Sequence, residues 1–334
     1  MRAWVVERPG PVATHPLRLV ERPVPEPGPG QVRMRVSTCG VCRTDLHLVE
    51  GDLPPRHPGV VPGHEAVGRV EARGDGADRF AQGERVGVAW LGRTCGTCPY
   101  CLRGDENLCR SPTFTGWDVD GGYAEHLVVD ERYAYRLPDA FGDEEAAPLL
   151  CAGIIGYRAL RRAEVRPGAR LGLYGFGASA HLAAQVALHW GARVHVMTRS
   201  PQAQQLALRL GATSATGAAE PPPEPLDSAI LFAPVGTLVP PALEALDRGG
   251  TLAVAGIHLT DVPPLGYRRH LFQERTLRSV TANTRTDGEE LLAVAAEIPL
   301  RPTTTPFPFE EADRALEALA GDAVDGAAVL RMPA

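Results

Sequence analysis

A chain of 334 residues exceeds the ~100–200 of one domain and points to two. Its 44% apolar and 22% charged residues are a globular composition, and a net charge of −6 with no basic stripe argues against nucleic acid as partner. All 34 basic residues are arginine, which excludes the lysine-dependent chemistries of Schiff bases, pyridoxal phosphate and Walker-type phosphate loops. The N-terminal Met1 to Glu7 reads as a strand rather than a signal peptide, and no apolar run reaches the ~18 residues that span a bilayer, so the expected location is the cytoplasm. With 36 Gly and 31 Pro, many turns and short strands follow. Gln31 to Ser37 alternates apolar and polar residues as a half-buried strand does, and Ala66–Glu71, Arg85–Trp90 and Tyr123–Val129 read alike.

Near residue 151 the pattern changes. Short apolar runs at Leu171–Tyr174, Arg193–Met197, Ser228–Phe232 and Leu252–Ala255 suit buried parallel strands. Amphipathic stretches Ala178–Trp190, Gln202–Leu210 and Leu238–Leu246 lie between them, the order of βαβ units. Pro221–Pro225 reads as a stiff solvated loop. Beyond about residue 297 come a strand at Thr303–Phe309, a helix at Glu310–Leu319 and a strand near Ala327–Leu330, a tail that suits the first domain if the α/β unit is inserted into it.

Seven cysteines without an export signal argue for metal or catalysis. Cys95, Cys98, Cys101 and Cys109 form a CxxCxxCx₇C lobe whose four thiolates leave a tetrahedral Zn²⁺ no open position, hence a structural site; an iron–sulfur cluster takes the same donors. Gly175-Phe176-Gly177-Ala178-Ser179-Ala180 follows a strand and opens a helix, the context a dinucleotide loop requires. Gly175 and Gly177 let the backbone approach a pyrophosphate, which sits on the helix N-terminus.

Cys39-Gly-Val-Cys42-Arg43-Thr44-Asp45-Leu-His47, Gly63-His64-Glu65, the four-Cys lobe, Asp120-Gly-Gly-Tyr-Ala-Glu-His126, Leu149 to Leu160 and the glycine loop occur together in this order. On these segments the chain resembles the zinc-containing alcohol dehydrogenases of the medium-chain dehydrogenase/reductase family over nearly its whole length, and most the bacterial propanol-preferring branch. The resemblance implies an α/β plus β-rich fold: a GroES-like catalytic domain (1–153 and 297–334, zinc lobe 92–111) with an inserted Rossmann domain (154–296). It implies two Zn²⁺ per chain and a homodimer or homotetramer. The catalytic zinc would be held by Cys42, His64 and Cys151, two thiolates and an imidazole that leave a fourth position open. Asp45 and Glu65 would support the ligands, Asp45 orienting the His64 ring, and Cys39 would be a spectator. Thr44 would take the alcohol proton, and the coenzyme ribose and His47 would pass it to solvent. Arg43 would grip the coenzyme pyrophosphate.

The chain departs from its relatives in two places. Ile155 stands where many carry Thr against the nicotinamide, and an arginine found near the C-terminus of some falls at about Ala327. Trp90, Trp117 and Ile155 imply a tight apolar pocket for small or medium primary, or secondary, alcohols rather than sugars. Where NAD-specific sites carry an acidic residue at the end of the second strand, this chain has Thr198-Arg199-Ser200, which favours NADP over NAD. The expected function is reversible oxidation of such alcohols by hydride transfer to NAD(P). The alternatives are a zinc-free quinone or enal reductase on the same fold, and a non-catalytic redox sensor using Cys39 and Cys42.

Overall fold

The apolar N-terminal run folds as β1 (Arg2–Val6), paired antiparallel with β2 (Leu17–Glu21). The computed structural model describes residues 1–334 except 257, 299 and 334. It divides into a first unit of Met1–Cys151, Ala282–Ala296 and Arg301–Ala334, and a second of Ala152–Thr281 and Glu297–Leu300.

The spine of the first unit is β3 (Gln31–Val41), whose alternating first half is the expected half-buried strand. Its register with β4 (Ala66–Arg73) shifts twice, the second time between Val36 and Thr38. A bulge of this kind re-aims the side chains beyond it. From Thr38 to Val41 every residue is buried, and the strand runs into the first helix, α1 (Arg43–Glu50). Beyond β4 lies β5 (Arg85–Val88); β6 (Leu91–Arg93) and β7 (Thr113–Phe114) form a separate ribbon flanking the cysteine lobe with its short helix α2 (Pro99–Leu102). β8 (His126–Asp130) pairs with β3, β9 (Ala134–Arg136) with β5, and α3 (Asp143–Ala146) precedes Cys151.

The second unit opens with α4 (Ala152–Arg162), then alternates β10 (Arg170–Tyr174), α5 (Ala178–His189), β11 (Arg193–Met197), α6 (Pro201–Arg209) and β12 (Ser214–Thr216). β13 (Leu226–Leu231), α7 (Val239–Glu244), β14 (Leu246–Val254), α8 (Tyr267–His270) and β15 (Thr276–Ser279) follow. All six strands are parallel in the order β12-β11-β10-β13-β14-β15, a Rossmann sheet whose order reverses between β10 and β13. The proline-rich loop is anchored as well as solvated, because Glu224 accepts from Arg193 and faces His195 Nε2 at 3.1 Å.

The chain returns to the first unit with α9 (Arg285–Glu297), β16 (Thr304–Pro308), α10 (Ala312–Ala320) and β17 (Ala327–Arg331), which completes the sheet β16-β17-β3-β4-β5-β9. One boundary differs from the sequence reading, which placed residues up to 296 in the inserted domain. Residues 282–296, most of α9, pack with the first unit. Glu106 accepts from the Arg285 backbone N–H at 2.7 Å and pairs with its guanidinium at 2.9 Å. Gly288 leaves room for the Tyr135 ring, which a Cβ there would meet at 2.4 Å.

Candidate active site and metal centres

Cys42 occupies the N-cap of α1, where its Sγ accepts from the Thr44 N–H at 3.3 Å. Asp45, three residues on, closes the cap by accepting from the Cys42 N–H at 3.0 Å with one oxygen. Its other oxygen accepts from the Gly63 N–H at 3.1 Å and faces His64 Nδ1 at 3.2 Å, leaving Nε2 toward Cys42 Sγ at 3.4 Å. One carboxylate thus fixes the helix cap, the 61–64 segment and the imidazole orientation. Asp45, expected as an orienting group, stands in that position.

Single donor atoms of Cys42, His64, Glu65 and Cys151 all lie within 4.8 Å of one another. Tetrahedral arms of ~2.0–2.3 Å separate ligand atoms by about 3.3–3.8 Å, so the donors fit a zinc ion. Glu65, expected behind the ligands, offers an oxygen at the same spacing. Room for it comes from Gly40, where a Cβ would sit 2.1 Å from the Glu65 carboxylate. Sequence reasoning gave Gly40 no role.

The pocket is electron-rich and buried. A hydrogen bond from Cys151 and the nearby His64 hold the Cys42 thiol well below its ordinary range, against the opposing effect of burial. Cys151 is pushed well above by the same bond and by burial. Burial works against charge on His64, but Cys42 and Asp45 outweigh it and raise the imidazole. Burial and the neighbouring Cys42 push Glu65 up. A divalent cation entering such a set displaces these shared protons. Cys39 is fully buried, and its raised thiol, desolvated first of all, is inert.

Thr44 and His47 lie three residues apart on α1, neighbours on the helix surface. His47 Nδ1 faces Asp52 Oδ2 at 2.9 Å, so a proton on Nδ1 leaves Nε2 as the basic nitrogen. Asp52 had no role in the sequence reading; its place past the helix end is the signal that could have found it. Arg43, expected at the pyrophosphate, bonds Asp322 at 2.5 Å.

Trp90 meets the His64 ring edge-on at 5.0 Å and stacks on Trp117 at 5.9 Å. Phe114 stacks on both, at 5.1 and 5.8 Å, a third aromatic that sequence reasoning missed. Arg56 covers Trp117 at 4.3 Å, and the Trp117 indole N–H donates to Pro54 O.

In the lobe the four sulfurs again lie within 4.8 Å, with Cys98–Cys101 and Cys109–Cys95 at 3.5 Å and Cys95–Cys101 at 3.9 Å. Backbone N–H groups, that of Thr97 foremost, lower the Cys95 thiol to about 6, and burial lifts Cys109 to about 11.

In the second unit Gly175 takes φ +88, and a Cβ there would meet Ala233 N at 2.9 Å. A Cβ on Gly177 would meet nothing within 4 Å, so open space faces the N-cap of α5, which no side chain closes. Ala178 and Ser179 begin the helix and Ala180 is buried in its packing. Close helix approach comes instead from Gly156 on α4, where a Cβ would sit 2.7 Å from Ser179 O. Ile155 is half-buried on the same helix.

Thr198 is buried at the end of β11, bonded to Thr216 O, and Arg199 is exposed. Ser200, expected to meet a phosphate, caps α6 by accepting from Ala203 N and donates to Gln202. The Glu220 carboxylate accepts from Gly217 N, one residue beyond the strand end to which Thr198 is bonded.

A GroES-like unit with a Cys–His–Cys pocket and a four-thiol lobe, joined to a Rossmann unit, defines a zinc-type dehydrogenase. Residues 28–139 match the alcohol dehydrogenase GroES-like domain family and 180–297 the zinc-binding dehydrogenase family. A probable alcohol dehydrogenase of Mycobacterium tuberculosis is 58% identical over 99% of this chain and 97% of its own. An alcohol dehydrogenase of Geobacillus stearothermophilus is 35% identical over 95% of both. Among solved structures, a cinnamyl alcohol dehydrogenase of Sorghum bicolor aligns with TM-score 0.88 at 28% identity, over 99% and 97% of the chains. An enzyme of Helicobacter pylori complexed with NADP(H) aligns with TM-score 0.88 at 25% identity, over 99% of each. The chain belongs to the zinc-containing alcohol dehydrogenases of the medium-chain dehydrogenase/reductase family. Among the described residues no helix is long and apolar enough to cross a membrane.

Proposed function

We propose that this enzyme reversibly oxidises small or medium primary, or secondary, alcohols to aldehydes or ketones, using NADP in preference to NAD and two zinc ions per chain. The observation that carries the reading is the Cys42–His64–Cys151 donor set, gathered within 4.8 Å beside the ring of Trp90. Cys42, His64 and Cys151 would hold the catalytic ion, and Cys95, Cys98, Cys101 and Cys109 the structural one. When bound, the catalytic zinc supplies Lewis acidity that makes an alcohol hydroxyl more acidic.

The chain's own residues do the rest. Trp90, Phe114 and Trp117 give the alcohol an apolar wall that disfavours polyols, whose extra hydroxyls would be buried without partners. Thr44 Oγ1 would accept the alcohol's hydroxyl proton while passing its own on toward His47, and a bound nicotinamide would supply the hydride acceptor. His47 Nε2, with Asp52 on the other ring nitrogen, receives the proton at the outer end of the helix face and releases it to solvent. Gly175, Gly177 and the first turn of α5 would hold the coenzyme pyrophosphate.

A cytoplasmic homodimer or homotetramer is the form the family resemblance supports. The intact donor sets favour this reading over a zinc-free reductase, and Thr44 and His47 favour it over a redox sensor. The test is metal content with an alcohol-dependent assay of coenzyme reduction. Two zincs with turnover, and one zinc without turnover in His64→Ala, is the expected result. One zinc or fewer in the freshly purified wild type overturns it.

A further inference from the structure

Asp120-Gly121-Gly122-Tyr123 takes no part in the proton or hydride chemistry, yet it is laid along the segment that presents His64. Gly121 N donates to Val61 O at 2.8 Å, Tyr123 N to Pro62 O at 2.9 Å and Gly122 N to Gly63 O at 2.8 Å. Asp120 Oδ1 accepts from the Val61 N–H at 2.9 Å. Proline lacks an N–H, so the one backbone group of residues 61–63 left over is the Gly63 N–H, which Asp45 takes. Every backbone donor and acceptor of this buried stretch is therefore accounted for, four of the five by residues 120–123.

Steric fit makes the two segments interlock. A Cβ on Gly121 would lie 2.1 Å from Gly63 O, and one on Gly122 would lie 2.8 Å from Cys39 Sγ. Gly63 itself has φ +97 and leaves room for the Tyr123 ring, which a Cβ would meet at 2.4 Å. Asp120 supplies a side-chain bond between the two segments, and its second oxygen accepts from Arg22 at 3.0 Å. Arg22 in turn donates to Gly59 O at 2.6 Å, so the stretch leading to His64 is bracketed at both ends.

We propose that Asp120 is a positioning residue for His64, holding through the Val61 N–H and Arg22 the backbone on which the imidazole is presented to Cys42 and Cys151. The proposal rests on the reading of those three residues as the zinc site. Asp45 pins the ring and Asp120 pins the chain that carries it, and a metal ligand needs both held. Removing the Asp120 carboxylate strands a buried N–H and lets the segment relax away from the donor set.

The test is the release of zinc to a chelating dye, which separates the two ions into two phases, together with the visible spectrum of protein cobalt-substituted at the catalytic site. Asp120→Ala is expected to release the catalytic-site zinc about 10–100-fold faster and to shift the cobalt bands, with the lobe phase unchanged. Asp120→Asn keeps an acceptor for Val61 but loses the Arg22 ion pair, and is expected to accelerate the same phase about threefold. If the Ala variant does not fold, the Asn variant decides. Release at the wild-type rate in either variant overturns the proposal, as does equal acceleration of both phases, which marks a merely structural role. His64→Ala is the separate control: if it retains both zincs, the ligand assignment fails rather than the role of Asp120.

Discussion

Cys39 and Cys42 stand three residues apart, but packing gives them different chemistry. Cys39 points into the interlock of Gly63 and Gly122, fully buried and with a raised thiol, whereas Cys42 caps α1 beside His64 as a stabilised thiolate. Cys42→Ser is therefore expected to lose alcohol turnover and one zinc while keeping its circular dichroism spectrum. Cys39→Ser keeps two zincs and turnover, and its buried hydroxyl costs about 1–3 kcal/mol of stability. The reverse pattern in metal analysis would show that the wrong thiol has been taken as the ligand. Arg43 is a second case. Its bond to Asp322 joins two exposed side chains, and such a pair contributes only ~0–1 kcal/mol, so in the proposed role of Arg43 a coenzyme diphosphate would displace it easily. Asp322 stands in the left-handed region at φ +53, which Asn tolerates. Asp322→Asn is expected to tighten coenzyme binding by up to about fivefold in a fluorescence titration, and Arg43→Ala to weaken it. Unchanged binding in Asp322→Asn alone removes the competition between carboxylate and coenzyme; unchanged binding in Arg43→Ala removes the role of Arg43.

At the level of elements, what could be read from the sequence followed how local its cause was. The parallel strands β10, β11 and β13 are apolar runs, and the cysteine lobe is written in its spacing. α4 was passed over because Gly153 and Gly156 dilute its helical signal; Gly156 is there for the close approach of α5, which no single-segment pattern reveals. The bulge in β3 and the place of α9 in the first unit depend on partners far away in sequence, Arg285 and Glu106 being 179 residues apart. Of the candidate site, the two clusters of donor residues were legible, whereas Phe114, Asp52 and Gly40 acquire meaning only through contacts. The lobe gives a direct check at this scale. In protein stripped of metal under mild conditions, backbone N–H groups keep Cys95 reactive from about pH 6 upward, while burial holds Cys109 back to about pH 11. Within the lobe, alkylation followed by peptide mapping should show Cys95 modified before Cys109 as pH rises. A common midpoint near ~8.5 for both thiols would mean that the lobe does not keep this geometry without its ion.

At the scale of the whole enzyme, the property to predict is the choice of dinucleotide, and its proposed determinants lie in the Rossmann unit. Acidic residues that select NAD do so by accepting from the adenosine ribose hydroxyls and repelling a 2′-phosphate. Here Thr198 directly follows β11, with Arg199 exposed beyond it and the N-terminus of α6, uncompensated by any acidic residue in its first turn, immediately after. Ser200 is already engaged as the helix cap, so on the proposed NADP preference the phosphate contact would fall mainly to Arg199 and to the positive end of α6. The Glu220 carboxylate is turned onto Gly217 N. A charge-assisted contact contributes ~1.5–3 kcal/mol, enough for a preference of at least about tenfold. The expected outcome is NADP(H) over NAD(H) by that factor in kcat/KM. Arg199→Gln should bring the two coenzymes close to parity, and Thr198→Asp should invert their order by restoring a carboxylate at the strand end. Steady-state kinetics with both coenzymes decides it: a wild-type enzyme that prefers NAD(H) has its selectivity set elsewhere than at the end of β11.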